Sequence, residues 1–203
     1  MTIRVHEADL PEPVTDCTVM AIDTEAMGLS LRRDRLCVVQ MSRGDGTADV
    51  VRIARGQTEA PHLTQMLADP SITKLFHFGR FDMGLLAHTF GVIPAPVYCT
   101  KIASKLARTY TDRHGLKELL RELLAEDISK QQQSSDWGAD TLTDAQVAYA
   151  ASDVLHLHAI REKLDAMLAR EGRAELLSGT LAGLPNRVAL DVAGWADMDL
   201  FAH

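Results

Sequence analysis

An apolar run that ends in two acids constrains this chain more than any other feature. Residues 18–23 read TVMAID, a pattern typical of a buried strand, and Glu25 follows Asp23 by two positions. Side chains two positions apart on an extended segment point to the same side. Both carboxylates can therefore address one point at the end of the strand. Acids are costly beside buried apolar segments, although an acid at the end of a strand is by itself more often a turn or cap residue.

Alternating strand and helix patterns fill the first half of the chain. Further strands are predicted over residues 35–41, 49–53, 74–78 and 97–99, and helices over residues 61–68 and 81–90. The turn at residues 44–46 is expected to join the first three strands into a meander.

Helical patterns dominate the second half. Helices are predicted over residues 100–106 and 116–124, followed by a polar loop over 127–140. A capping box at Thr143 and Gln146 begins a long helix to about residue 170, and a short helix covers 174–181. This order predicts an α/β fold, a mixed sheet flanked by helices with a helical C-terminal part. We expect one domain over residues 1–203, with its core at about 17–170 and an extension over 171–203.

Composition and charge exclude several classes of protein. The chain is 46% hydrophobic and 24% charged, which is ordinary for a globular domain and excludes a disordered chain. No apolar run is long enough to span a membrane, and the N-terminus lacks the apolar core of a signal peptide, so a cytoplasmic protein is expected. The net charge of −7 argues against coating of nucleic acid by charge alone.

The cysteines also favour a reducing compartment. Cys17, Cys37 and Cys99 are widely spaced and form no CxxC pair, which argues against a zinc knuckle or a redox motif. We expect them to be buried as small apolar side chains.

Two further acids stand at positions that suit the same site. Asp82 lies in the first turn of a helix directly after a strand, and Asp153 lies four residues after Tyr149 on one helical face. Taken alone, such acids are more often turn residues, partners of a helix dipole or solvated charges. Together with Asp23 and Glu25 they form a cluster of carboxylates. Hard divalent cations prefer such oxygen ligands, and without cations the carboxylates would repel one another.

Three segments resemble a known family. VMAIDTEAMGL, KLFHFGRFDMGLL and QVAYAASDVLHLHAI resemble the three exonuclease motifs of the DEDD superfamily, in its DEDDy branch. SSDWGADTLTDAQVAYAASDV is similar to ribonuclease D, in which SDW precedes the third motif. The resemblance covers roughly residues 17–165. It implies a ribonuclease H-like fold and a 3′→5′ exonuclease that releases nucleoside 5′-monophosphates from RNA 3′ ends.

The resemblance also implies roles for particular residues. It assigns two divalent ions, Mg²⁺ or Mn²⁺, to Asp23, Glu25, Asp82 and Asp153, and the positioning of the attacking water to Tyr149. Asp23 would bridge both ions, with Glu25 and Asp153 on one ion and Asp82 on the other. The stretch after residue 170 is too short for the helical HRDC domains of longer ribonuclease D proteins, so a stand-alone catalytic module is expected.

Substrate contacts are predicted at six further residues, Thr24, Met27, Leu29, His77, Lys130 and Gln133. Met27 and Leu29 follow the first motif, where the family's loop wedges against a terminal base, but core packing explains them equally well. His77 is more simply a structural histidine. We expect Trp195, in the C-terminal tail, to pack on the core rather than meet a partner.

Two other functions compete with an exoribonuclease. A DNA exonuclease of proofreading or repair type uses the same motifs, and the ribonuclease D-like text around Asp136 and Trp137 favours RNA. A non-catalytic nucleic-acid-binding module on a nuclease fold would be expected to lack one of the carboxylates, and none is missing. No membrane partner is expected.

Overall fold

A computed structural model of the protein describes residues 2–128, 131–200 and 202. Within them, six strands form one sheet in the order β1-β4-β3-β2-β5-β6. The strands are β1 (Thr2–Glu7), β2 (Val19–Ala26), β3 (Leu36–Ser42), β4 (Thr47–Arg52), β5 (Thr73–Phe76) and β6 (Val97–Cys99). β2, β3 and β4 pair antiparallel, as the predicted meander requires. β1 pairs parallel with β4, β5 with β2, and β6 with β5, so the sheet is mixed and the predicted fold class is confirmed.

Helices follow the strands in the expected order. They are α1 (Pro61–Ala68), α2 (Arg80–Phe90), α3 (Thr100–Ala107), α4 (Leu116–Leu119), α5 (Asp144–Leu155), α6 (Leu157–Arg170) and α7 (Ala174–Leu190). A π-helical turn, Leu120–Leu124, continues α4, and another, Asp191–Trp195, continues α7. No helix among the described residues is both long and apolar enough to cross a bilayer.

The core forms around β3, whose seven residues are all buried. Its side chains divide between two clusters: Val39 and Met41 belong to the main core, and Cys37 and Val38 to a smaller cluster with Trp137. Helix α5 packs against β3 and β4, whereas α6 packs against α3 and α2 packs against α7. Both β2 and α5, which carry most of the predicted site, contact β3 in the middle of the sheet.

The predicted long helix from Thr143 to residue 170 is wrong, since the chain forms two helices with a break at His156. The capping box at Thr143 is present as predicted. The two helices on either side of the break have different packing partners, since α5 lies on β3 and β4 and α6 lies on α3. The apolar spacing continues through the break, so periodicity could not reveal it.

Two further elements differ from the expectations. β1 was not predicted, although it adds a parallel strand to the sheet edge. The last helix was predicted to stop near residue 181, but α7 continues through Pro185 to Leu190. Proline is unfavourable inside a helix. Burial of Leu184 and Val188 on either side of Pro185 offsets that cost.

Candidate active site

One cleft collects the predicted catalytic residues from three elements. It has a volume of about 1300 Å³, and its lining includes Asp23 and Glu25 from β2, Asp82 from α2, and Tyr149 and Asp153 from α5. The last part of β2 brings its two acids to the cleft, as the alternation of side chains predicts. All five residues predicted to be catalytic therefore lie together, although their roles stay predictions.

Three of the acids are close enough to share one ion. One carboxylate oxygen from each of Asp23, Glu25 and Asp153 lies within 4.8 Å of the other two. Such a set of oxygen donors suits a hard divalent cation. These residues therefore fit the metal that the sequence motifs imply.

Asp82 occupies a separate position at the start of α2. Its side chain is buried, and its Oδ1 accepts hydrogen bonds from the Thr24 backbone N–H at 3.1 Å and the Thr24 hydroxyl at 2.6 Å. Thr24 was predicted to contact substrate, and that contact stays a prediction. In the structure its hydroxyl fixes the orientation of Asp82.

Gln40 supports the site and was not predicted. It lies opposite Asp23 in the β2–β3 register, is fully buried, and its Nε2 donates to Asp23 Oδ2 at 2.6 Å. A polar side chain inside the apolar run RLCVVQMS is the signal that could have identified it. Among the described residues its Oε1 has no hydrogen-bond partner.

The electrostatics of the cleft are unfavourable to ionised acids. Burial, followed by repulsion from Asp153 and Asp82, raises the pKa of Glu25 to about 9. Burial and the three neighbouring carboxylates raise the pKa of Asp23 well above its usual range. Burial likewise raises the pKa of Asp82 to about 6, against the opposing hydrogen bond from Thr24. A cation among these oxygens would relieve the cost of ionising them.

Tyr149 is held beside the acids by an aromatic contact. The ring centroids of Tyr149 and Trp137 lie 6.0 Å apart at an interplanar angle of 40°. Trp137, from the SDW segment, is buried and lines the cleft. Burial and nearby carboxylates raise the pKa of Tyr149, so its hydroxyl stays protonated at neutral pH and can donate a hydrogen bond.

The remaining predicted substrate contacts have varied positions. Met27, Leu29, His77 and Gln133 all line the cleft. Met27 is 51% and Leu29 87% exposed, so neither is a core residue. His77 Nδ1 is hydrogen-bonded to Thr100 Oγ1 at 2.9 Å, as expected for a structural histidine. Lys130 lies outside the described residues.

The C-terminal segment returns to the cleft, which was not predicted. Asp191, Gly194, Ala196 and Asp197 are among the lining residues. Trp195 is 47% exposed and is not part of the core, so the prediction that it packs there is wrong. The aspartates around Trp195 are visible in the sequence, but nothing in the sequence indicates that this segment returns to the cleft.

A clamp of ion pairs holds this segment in place. Arg80 Nε donates to Asp191 Oδ2 at 2.5 Å, and Arg187 Nε donates to Asp191 Oδ1 at 2.9 Å. Arg187 also donates to the backbone oxygen of Trp195 at 2.7 Å. Since Arg80 precedes Asp82 by two residues, the segment is tied to the helix that carries a predicted metal ligand.

A family model described as 3′-5′ exonuclease matches residues 2–169. The chain belongs to the 3′-5′ exonuclease family. This confirms the family resemblance identified from the three sequence motifs.

Curated relatives of this chain are ribonuclease D proteins. That of Gluconacetobacter diazotrophicus is 34% identical over 196 residues, covering 89% of this chain and 49% of its own length. That of Acidiphilium cryptum is 37% identical over 165 residues, covering 81% of this chain and 42% of its own length. The chain spans about half or less of the length of these relatives.

Solved structures match the chain over its whole given length. Brucella melitensis NrnC with bound Mg²⁺ is 56% identical, with a TM-score of 0.96 and complete coverage of both chains. The same protein bound to pGG is 57% identical, with a TM-score of 0.96, covering 100% of this chain and 99% of that one. Escherichia coli RNase D is 27% identical, with a TM-score of 0.76 over 85% of this chain and 45% of its own. The ribonuclease H-like fold is confirmed by these matches.

Proposed function

We propose that this member of the 3′-5′ exonuclease family is a divalent-metal-dependent exoribonuclease that releases nucleoside 5′-monophosphates from RNA 3′ ends. The observation that carries the proposal is the convergence of Asp23, Glu25 and Asp153 oxygens within 4.8 Å in the cleft. These acids lie in a domain of the 3′-5′ exonuclease family, and we propose that they support the reaction of that family.

The acids are arranged to hold two ions, Mg²⁺ or Mn²⁺. Asp23, Glu25 and Asp153 would hold one ion, and Asp23 with Asp82 would hold the other. When bound, such ions lower the pKa of the attacking water and stabilise the charge on the leaving oxygen. Burial raises the pKa of Asp82, and burial together with repulsion from Asp153 and Asp82 raises that of Glu25; a cation bound among these oxygens would oppose both shifts.

The surrounding side chains have supporting tasks. The Tyr149 hydroxyl donates a hydrogen bond that orients the attacking water, and Trp137 holds the tyrosine ring. Gln40 and Thr24 fix the carboxylates of Asp23 and Asp82 through the hydrogen bonds described above. Water attacks the terminal phosphorus, the bond from phosphorus to the 3′ oxygen breaks, and the freed oxygen takes up a proton.

Short RNA ends are the substrate class that we favour. The curated relatives are ribonuclease D proteins, and the structure of NrnC bound to pGG is that of a close relative with a two-nucleotide ligand. Arg32 and Lys101 line the cleft and can contact phosphates. Because the chain's net charge of −7 opposes long contacts with RNA, recognition of one RNA end in a metal-charged cleft suits this chain best.

A 5′-labelled RNA tests the proposal directly. With Mg²⁺ or Mn²⁺ we expect a ladder that shortens from the 3′ end, and we expect none with EDTA or in the Asp23→Asn variant. Full activity in Asp23→Asn would refute the assignment of the site. Binding of RNA without cleavage in either metal would instead support a non-catalytic module.

DNA of the same sequence separates the two enzymatic alternatives. We expect the RNA to be degraded faster than the DNA in parallel reactions. A preference for DNA would favour the proofreading or repair type of exonuclease and would leave the metal site unchanged.

A further inference from the structure

We propose that Phe78 and Lys101 form a stacking site for a nucleobase of the RNA in the cleft. The proposal rests on the proposed function, since it names how the same cleft holds its substrate. Phe78 lies between β5 and α2, four residues before Asp82, and both Phe78 and Lys101 line the cleft.

The backbone of Phe78 has an unfavourable conformation. Its φ is +63°, in the left-handed region that bulky side chains avoid. The segment that leads into Phe78 is fixed, because Thr100 Oγ1 is hydrogen-bonded to the His77 ring at 2.9 Å and donates to the Phe76 carbonyl at 3.2 Å. Strained residues of this kind persist where the surrounding structure enforces them, and they cluster at sites that bind ligands.

The strained backbone places the Phe78 ring outside the core. The side chain is 52% exposed, so folding alone does not explain a phenylalanine at this position. Met27 and Leu29 are also exposed on the lining of the cleft, which makes its wall apolar at several points. An exposed aromatic face in a groove that takes a nucleic acid is suited to stack a base.

Lys101 adds a positive charge to the ring. Its Nζ lies 3.7 Å from the Phe78 ring centroid, which is a cation–π contact. Among the described residues no carboxylate forms a salt bridge with Lys101 within 4.0 Å, whereas Lys117 on the same cleft is paired with Asp127. Because Phe78 is 52% exposed despite this contact, a base can stack on the exposed part of the ring, and the ammonium can contact a phosphate.

Kinetics with a short RNA test the stacking site. Phe78→Ala should raise KM by roughly tenfold or more and leave kcat nearly unchanged, since base–aromatic stacking is lost. Phe78→Trp should keep the wild-type KM. Tyr110→Ala is the matched control, because Tyr110 is an exposed aromatic residue beside a cation, Arg108, and does not line the cleft. Its KM should not change.

Substrates that lack one base identify the stacked position. Each nucleotide of the RNA is replaced in turn by an abasic residue. At one position, removal of the base should lower the kcat/KM of the wild type by the same factor by which Phe78→Ala lowers it with intact RNA. At that position, removal of the base should not lower the kcat/KM of Phe78→Ala any further. The proposal would be overturned if the two losses multiplied at every position of the RNA. It would also be overturned if the KM of Phe78→Ala stayed within twofold of the wild-type KM.

Phe78→Gly separates binding from folding. Glycine relieves the left-handed strain, so this variant should melt no lower than the wild type and still raise KM as Phe78→Ala does. A lowered melting temperature with an unchanged KM would mean that the ring is structural.

Salt dependence tests the charge of Lys101. Lys101→Gln should reduce the slope of log KM against log salt by about 0.7, the value for one phosphate contact on a single strand. An unchanged slope would remove Lys101 from the proposed site. If the wild type cuts no RNA in Mg²⁺ or Mn²⁺, the proposed function fails. The dissociation constants of the same RNA for wild type and Phe78→Ala, from fluorescence anisotropy, then decide the stacking site.

Discussion

Asp23 and Asp191 are acids that line the same cleft, and they differ in what neutralises their charge. Asp23 lies among other carboxylates, and burial together with their repulsion raises its pKa. Burial also opposes ionisation of Asp191, but hydrogen bonds from Arg80 and Arg187 overcome that effect and lower its pKa.

The difference separates a binding site from a structural contact. The charge of Asp191 is balanced by this chain's own arginines, so the contact is complete in the protein alone. The cleft acids carry an electrostatic cost that a ligand of opposite charge relieves. Sites of function are often maintained at the expense of stability in this way, and variants can distinguish the two kinds of acid.

Glu25→Gln should produce the largest effect. We expect exonuclease activity to fall by about 10³-fold or more, because the proposed metal ligand is replaced by a neutral amide. Without metal the free energy of unfolding should rise by about 1–2 kcal/mol, since the variant no longer buries an acid with a raised pKa. Turnover assays and denaturant unfolding in EDTA measure both quantities.

Glu59→Gln is the control for that variant, because Glu59 is an exposed acid that does not line the cleft. Its activity should match the wild type, and its stability should change by less than about 0.5 kcal/mol. Retained activity in Glu25→Gln would contradict the assignment of Glu25 to the proposed metal site and so the contrast with Asp191.

Tyr149→Phe should have the next largest effect. The ring and its contact with Trp137 remain, but the hydroxyl that we propose to orient the attacking water is lost. We expect kcat to fall by about 10²-fold with little change in KM. Steady-state kinetics provide the test, with Tyr110→Phe as the control. A drop confined to KM would assign the hydroxyl to substrate binding.

Asp191→Asn should mainly affect stability. Loss of the charge leaves Arg80 and Arg187 without their partner, so the free energy of unfolding should fall by about 2 kcal/mol. Thermal melting should show a decrease of about 4–8 °C. Glu175→Gln, an exposed acid on the same α7 helix, should change little. Increased stability of Asp191→Asn would instead show that the charge of Asp191 costs stability, as we expect for Asp23 and Glu25.

The pH dependence of stability should be a smaller effect, and its direction follows from the raised pKa values. Glu25 and Asp82 have pKa values of about 9 and about 6 in the folded protein, above those of unfolded acids at about 4. The folded state therefore binds more protons than the unfolded state. In EDTA the melting temperature should fall as pH rises from 5 to 9, and Mg²⁺ should reduce that fall. A melting temperature that rises with pH in EDTA would contradict the assigned shifts.

The arrangement of the acids was predictable because local geometry determines much of it. Alternation on β2 directs Asp23 and Glu25 to one side, and helical spacing does the same for Tyr149 and Asp153. The family motifs supplied what local geometry could not, namely that β2 and α5 meet at one cleft.

Long-range pairing explains what the sequence did not reveal. Arg80 and Asp191 are 111 positions apart, and neither has a local pattern that indicates its partner. The break at His156 and the continuation of α7 through Pro185 depend on which surfaces the helices pack against. Tertiary packing overrides local propensity at both places.

The clamp at Asp191 has a consequence for the order in which the molecule is made. A chain leaving the ribosome presents all of the predicted metal ligands by the time Asp153 has emerged. Asp191 and Asp197, which line the same cleft, emerge 38 and 44 residues after Asp153. During synthesis the predicted metal ligands are therefore present before the segment that carries Asp191, and this part of the cleft wall forms only when that segment docks on Arg80.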